Sequence, residues 1–335
     1  MSQQYDFVAI GDILIDAFIQ LNKDQADVSI DLDTGRKTLH MPFGGKLPYD
    51  DVTVVPAVGN SPNAATSATR LGLETALVTH LGNDKFGKEC LQALRERGVH
   101  TDFVKMHEDK KTNYHYVLRY GPERTILINH EHYPYALPDF PVAPKFFYFS
   151  SVGEHGIPYH HEIAEYVKNH ETKLAFQPGT FQIKVGYEEI KDVYENTEIF
   201  FCNKEEAQEI LNKPDEQHIP TLIRGIRELG PKIPVVTDGP NGAYTVDTDD
   251  QAWHMPMYPD PAPPVDRTGA GDSFSSTFTA AIILGKDPAE ALSWGPINSM
   301  NVVQYIGAQE GLLHREELLK YLENRPEDYF ASKIE

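Results

Sequence analysis

Six short apolar runs rich in β-forming residues, separated by stretches of helical character, constrain this chain more than any other feature. The runs are YDFVAIG (5–11), TALVTHLG (75–82), KFFYFSSVG (145–153), KLAFQPG (173–179), EIFFCN (198–203) and IPVVTDG (233–239). Helical patterns lie at NAATSATRLG (63–72), KFGKECLQALRERG (85–98), PYHHEIAEYVKNH (158–170), KEEAQEILN (204–212) and IPTLIRGIRELG (219–230). A strand that is apolar without alternation is buried on both faces, and strands alternating with helices build a parallel sheet. The predicted fold is therefore doubly wound α/β, mainly parallel, with helices on both faces. Two segments break the alternation. Residues 17–57 and 112–130, with period-2 stretches such as NYHYVLRY and ERTILIN, read as antiparallel strands forming a small lid, with a turn at Gly44-Gly45-Lys46. The expectation is one domain over 1–335 with the lid strands inserted in it.

The length of 335 residues allows a substantial core, and a formal net charge of −20 argues against a nucleic-acid surface and for a small-molecule ligand. The two cysteines, Cys90 and Cys202, sit far apart in apolar-periodic segments, which suits buried thiols in a reducing compartment. The N-terminus carries no basic n-region and no apolar run reaches membrane-spanning length, so the reading is a cytoplasmic protein without a membrane partner. P-loop, G-x-G-x-x-G, G-x-S-x-G and H-E-x-x-H patterns are all missing from the sequence. His130 and His132 follow a lid strand, within reach of a substrate, but their spacing is not that of a metal site.

The chemistry concentrates in DRTGAGDSFSSTFTAAI (266–282), where a turn of small residues opens a helix. Gly269, Ala270 and Gly271 let successive backbone N–H groups face one point, and the helix adds its positive end, so the turn can hold an anion. A carboxylate beside such a site, Asp272, repels its own ligand unless it is there to take a proton from an incoming hydroxyl. The combination points to phosphoryl transfer; the plain alternative is an Asp near an ordinary helix start.

DRTGAGD resembles the DTxGAGD signature of the ribokinase-like (PfkB-type) carbohydrate kinases, with Arg267 and Ser275-Ser276 as departures. The resemblance implies Asp272 as catalytic base and Gly269, Ala270 and Gly271 as the anion hole. Further segments match in the family's order. GDILID resembles the opening strand and implies that Asp12 and Asp16 serve substrate hydroxyls. VGNSPNAATSATRLG resembles the first signature, with Val58 in place of a Gly, and carries substrate binding onto Gly59, Asn60 and Asn63. FCNKEEAQEI resembles the NxxE element, implying Asn203 near the nucleotide and Glu206 near Mg²⁺; alone it reads as a helix N-cap. VVTDGPNGAY implies ATP contacts at Thr237, Gly239 and Gly242, and alone reads as a hairpin turn. NVVQYIGAQEG resembles the region flanking adenine and, in many members, a monovalent cation such as K⁺; Pro296 there is expected to interrupt a helix.

The implied activity is transfer of the γ-phosphoryl group of ATP to a sugar hydroxyl, with Mg²⁺. A homodimer through the lid is a further expectation. A nucleoside kinase of the same superfamily is the first alternative, since Tyr114, Tyr116, Tyr133 and Tyr135 could offer aromatic surface near the lid. A sugar-binding regulator without catalysis is the second. Arg124, on a lid strand, is read as a surface charge.

Overall fold

The computed structural model describes residues 3–32, 34–121 and 123–335. In chain order the strands are β1 (Phe7–Ile10), β2 (Leu14–Leu21), β3 (Asp27–Ile30), β4 (Lys37–His40), β5 (Tyr49–Val58), β6 (Thr75–Gly82), β7 (Val104–His107), β8 (Asn113–Tyr120), β9 (Glu123–Leu127), β10 (Phe146–Phe149), β11 (Lys173–Phe176), β12 (Ile199–Asn203), β13 (Ile233–Thr237), β14 (Ala243–Val246), β15 (Ala252–Met255) and β16 (Ser332–Ile334). The helices are α1 (Asn60–Arg70), α2 (Lys85–Glu96), α3 (Ile157–Asn169), α4 (Thr180–Val185), α5 (Lys191–Glu195), α6 (Lys204–Ile210), α7 (Ile219–Glu228), α8 (Ala270–Ile283), α9 (Pro288–Val302) and α10 (Arg315–Glu323).

Ten strands form the main sheet in the order β16-β15-β14-β13-β12-β11-β10-β1-β6-β7. From β13 through β7 neighbours pair in parallel, and β14 to β16 extend one edge antiparallel. Alternate residues of a strand serve opposite faces. In β1, Phe7 and Ala9 enter a core shared with α1, α2, α8, α9 and α10, while Val8 and Ile10 enter a second core with α3, α5, α6 and α7. The sheet is thus covered on both sides, as the apolar runs require. Cys90 lies in the first core and Cys202 in the second, both buried and free. Among the described residues, no helix is long and apolar enough to cross a membrane.

The lid is a four-stranded sheet, β5-β2-β8-β9, with the β3–β4 hairpin beyond it. Its β2–β5 and β8–β9 pairs are antiparallel as expected, but the central β2–β8 pair is parallel. The reason is topological: β2 follows β1 and β8 follows β7, so both continue outward from the carboxyl edge of a parallel sheet. Pro296 likewise departs from expectation, since α9 runs through it. A mid-helix proline removes one hydrogen bond, and packing offsets that loss. Gly295 faces α8 so closely that a Cβ there would lie 2.6 Å from the Phe274 ring, and buried Asn298 donates to Thr277 Oγ1 at 2.8 Å.

Gly242 and Gly239 both adopt positive φ, 93° and 48°. A Cβ on Gly242 would lie 2.1 Å from the Met255 carbonyl, whereas one on Gly239 meets nothing within 4 Å. Gly242, at ψ −150°, occupies a region open essentially to glycine alone, so Gly242→Ala carries a penalty of about 1–3 kcal/mol plus a backbone clash, and Gly239→Ala only the left-handed penalty of about 1–2 kcal/mol. Urea unfolding is expected to show the larger loss for Gly242→Ala; equal losses would contradict the packing at the β14–β15 edge.

Candidate active site

The carboxyl edge of a parallel sheet is where its loops and helix starts converge, and the chain places its polar side chains there. Gly11 and Asp12 follow β1, Ser150 and Ser151 follow β10, Gln177 follows β11, Asn203 ends β12 and Thr237 ends β13. The apolar run at 145–153 yields strand only to Phe149, because Ser150 and Ser151 turn into this edge. The N-termini of α1 and α8 enter the same region.

Asp272 stands in the first turn of α8 and is 8 % exposed. Three carboxamides hold it. Asn60 Nδ2 donates to Oδ1 at 2.7 Å, Asn63 Nδ2 to Oδ2 at 2.8 Å, and Gln177 Nε2 to Oδ1 at 3.2 Å. The resemblance directs Asn60 and Asn63 to substrate hydroxyls; in the structure an N–H of each donates to Asp272, Asn63 Oδ1 also accepts from Gln309 Nε2 at 2.7 Å, and Asn60 lines a cavity beside the carboxylate. Gln177 carries no motif. Its signal is positional: a polar residue ending a buried strand. Its Oε1 accepts from Tyr148 Oη and, at 3.2 Å, from Ser275 Oγ, which turns Nε2 toward Asp272. Ser275 thereby earns its place beside the turn: its hydroxyl sits 2.6 Å from Tyr148 Oη.

The left-handed residue of the turn is Gly269, at φ 82°, and a Cβ there would lie 2.3 Å from that of Ala308. Gly271 is helical, and its Cβ would meet only Gln177 Nε2, at 3.8 Å. Gly269 thus serves the backbone, while Gly271 leaves space open in front of the first-turn amides. Gly59 caps α1 at φ 121°, where a Cβ would come within 2.7 Å of the Asp12 carbonyl. Val58 is 1 % exposed and closes the end of β5, so Gly59 alone provides the close approach.

Two cavities meet at Gly271. One, of about 310 Å³, is lined by Asn60, Gln177, Asn203, Glu206, Thr237 and Gly271. The other, of about 410 Å³, includes Thr237, Gly239, Gly242, Tyr258, Arg267 and Ala270 in its wall. Part of that wall is Met257–Asp260 and Pro264, within a stretch holding five prolines from Pro256 to Pro264. A larger groove of about 540 Å³, between α10 and residues 325–330, shares no residue with the site. Asn203 and Glu206 form the reciprocal cap of α6: Glu206 N donates to Asn203 Oδ1 and Asn203 N to Glu206 Oε2, both at 2.8 Å. Burial raises the Glu206 pKa, and Glu205 and Glu209 add to that, against the Asn203 N–H bond.

On the lid side, Asp16 of β2 lies beside His115 of β8. Burial pushes the Asp16 carboxyl up to about 7, with Asp266 adding and Arg124 opposing, while Arg124 itself is exposed. Burial also holds the His115 ring down, to about 4. At 3.8 Å, with both groups driven toward neutrality, the two form no ion pair. Asp12 accepts from Tyr135 Oη at 2.8 Å, and His130 Nδ1 stands 3.5 Å from it. His132 instead stacks on His155. The four tyrosines do not share one surface: Tyr133 is 1 % exposed and bonded to the Lys111 carbonyl, Tyr135 is tied to Asp12, Tyr114 packs on Phe86, and Tyr116 faces outward. Among the described residues no group of three or more potential ligands could hold a metal ion by itself.

A buried carboxylate beside bare helix-start amides and a cavity with an apolar wall is the apparatus of a phosphotransferase acting on a hydroxyl. Residues 49–315 match the model of the pfkB family of carbohydrate kinases, and the chain belongs to that family, whose members are ATP-dependent kinases. It is 27 % identical to the ribokinase of Bacillus subtilis, over 79 % of this chain and 87 % of that one. It is 26 % identical to the nucleoside kinase of Methanothermobacter thermautotrophicus, over 86 % and 85 %. The fold is ribokinase-like. Arabidopsis thaliana ribokinase, solved with ribose and ATP, superposes with a TM-score of 0.78 at 20 % identity, covering 96 % of this chain and 99 % of that one.

An acid whose pKa is raised by folding stabilises fully below its unfolded value and loses that contribution as pH climbs through the folded one. Wild-type stability is therefore expected to fall between pH 5 and 8 by an amount of order a few kcal/mol attributable to Asp16. Asp16→Asn removes that slope and is the more stable protein at pH 8. Urea unfolding at both pH values checks this, and parallel declines would refute the assignment.

Proposed function

We propose that this kinase transfers the γ-phosphoryl group of ATP to a hydroxyl of a sugar, with Asp272 as the base. The observation that carries the proposal is the Asp272 carboxylate, buried, held by three neutral amides and placed one residue from Gly271, where both cavities meet. The acceptor hydroxyl gives its proton to Asp272 as its oxygen bonds to the γ-phosphorus, and the bond to the bridging oxygen breaks so that ADP leaves with the electron pair. The amides at Gly269, Ala270 and Gly271 face the charge that develops on the transferred group. Asp12, Asp16 and the Gly59–Asn60 corner bound the acceptor side. Thr237, Gly239 and Gly242 bound the nucleotide side with Asn203.

The donor set fits magnesium. Glu206 Oε2 serves the cap, and Oε1 makes no hydrogen bond among the described residues. One carboxylate suits an ion that keeps most of its waters and takes phosphate oxygens. Magnesium, when bound, supplies charge neutralisation on the nucleotide phosphates. Potassium is carried in this reading as an activator, tested by omitting it from the assay. A cytoplasmic setting accords with the two free buried thiols. The lid's outer face supports a second copy as partner: Val54, Tyr116 and Leu127 lie in one cross-strand row, with Val52 beside it, all exposed. A monomer in sedimentation velocity would rule the dimer out.

Asp272→Asn is expected to lower kcat by about 10²–10⁴-fold while leaving nucleotide affinity intact. ADP release across ribose, fructose, 2-keto-3-deoxygluconate, adenosine and other nucleosides identifies the acceptor. A variant keeping a tenth of wild-type kcat removes Asp272 as base, and a preference for nucleosides removes the sugar reading. Gly271→Val is expected to keep the thermal midpoint and lose about 10²–10³ in kcat; normal turnover in a folded Gly271→Val protein would end the anion-hole assignment.

A further inference from the structure

Gln309 lies in the segment whose resemblance points to adenine and a monovalent cation, yet it is 3 % exposed and lies one side chain away from Asp272. Its Nε2 donates to two acceptors: the Ala57 carbonyl at 2.8 Å and Asn63 Oδ1 at 2.7 Å. An amide nitrogen carries two hydrogens, so both are used. Asn63 Nδ2 in turn donates to Asp272 Oδ2 at 2.8 Å. Side-chain amides can be reversed, but a backbone carbonyl can only accept. The Ala57 carbonyl therefore fixes Gln309 with its nitrogen inward, Gln309 fixes Asn63 with its oxygen toward Gln309, and Asn63 is left with its N–H facing the carboxylate. Reversal at any link would set oxygen against oxygen.

Ala57 is itself held. It sits where β5 of the lid runs into α1, in the left-handed region at φ 59°. Its N–H meets Cys90 Sγ at 3.3 Å, and its carbonyl also accepts from Arg97 Nη1 at 3.2 Å. A non-glycine residue keeps such an angle only where its surroundings over-determine it.

We infer that Gln309 is a positioning residue, which transmits the fixed polarity of the Ala57 carbonyl at the lid junction to the Asn63 amide and so orients the donor that holds Asp272. The inference rests on Asp272 as the base. Gln309→Met keeps the length and deletes both donors. Gln309→Glu keeps the shape but only accepts, and so turns Asn63 over.

Gln309→Met is expected to lower kcat roughly 10-fold or more, with both KM values within about twofold of wild type. The acid limb of its kcat profile moves to higher pH, because Asn63, no longer held by Gln309, is a poorer donor to the carboxylate. Gln309→Glu is the more damaging change. In an Asn63→Ala background, Gln309→Met adds nothing further, since the relay is already cut. Where Gln309→Met lowers the thermal midpoint too far for assay, Gln309→His, which keeps one ring N–H, carries the same readouts and restores part of the acid limb. A wild-type acid limb in Gln309→Met, or effects of Asn63→Ala and Gln309→Met that simply add, would overturn the relay. Asp272→Asn separates the two ideas: if it keeps turnover the base reading fails, and if it is inactive while Gln309→Met behaves as wild type only the relay fails.

Discussion

The structure is organised around a carboxylate held out of water without a cation. Isolated buried charges are costly unless hydrogen bonds or counter-charges compensate them. For Asp272 the direct partners are the amides of Asn60, Asn63 and Gln177. The distinction matters chemically. A lysine or arginine in contact would hold the carboxylate more tightly and blunt its use as a proton acceptor, whereas neutral donors fix its direction without adding a counter-charge. The helix start adds positive potential for the phosphates on the same side. These needs bring α1, β11 and α8 to one point, which only the carboxyl edge of this sheet provides.

Much of this was legible in the sequence. The six apolar runs became parallel strands because continuous burial on both faces leaves the pattern no other use, and the helices at 85–98 and 219–230 were found because their apolar faces recur at helical spacing. The GAGD turn could be read because its chemistry is local: the small residues, the acid and the helix lie within a dozen positions. What escaped depends on contacts distant in the chain. Gln177 meets Asp272 from 95 positions away and Gln309 meets Asn63 from 246 away, and nothing local to either names its partner. Asn60 and Asn63 were recognised as site residues, but their bonds to Asp272 from 212 and 209 positions away were not, because an amide's motif says that it bonds, not to what. Pro296 was misread for a related reason: propensity is local, while the fit of Gly295 against Phe274 is tertiary.

The lid divides its labour by strand parity. One face of β2 and β8 carries Asp16 and His115 toward the site, and the other carries Tyr116 outward. Because side chains alternate with a period of two, a one-residue slip in register would exchange the two sets and place an aromatic where Asp16 and His115 now lie. The parallel β2–β8 pairing, in which each strand enters from a strand of the main sheet, secures that register better than a free hairpin would.

The proline-rich strip from Pro256 to Pro264 bears on how the cavity of about 410 Å³ that it lines receives a ligand. Five of its nine residues have their φ fixed by the ring, so little backbone freedom remains to be lost when a ligand arrives. Such a wall resists collapse into the cavity. Filling it releases water more than it orders chain. The calorimetric signature of such a cavity is a negative heat-capacity change that scales with the apolar area covered, without the large opposing entropy of a loop that folds around its ligand.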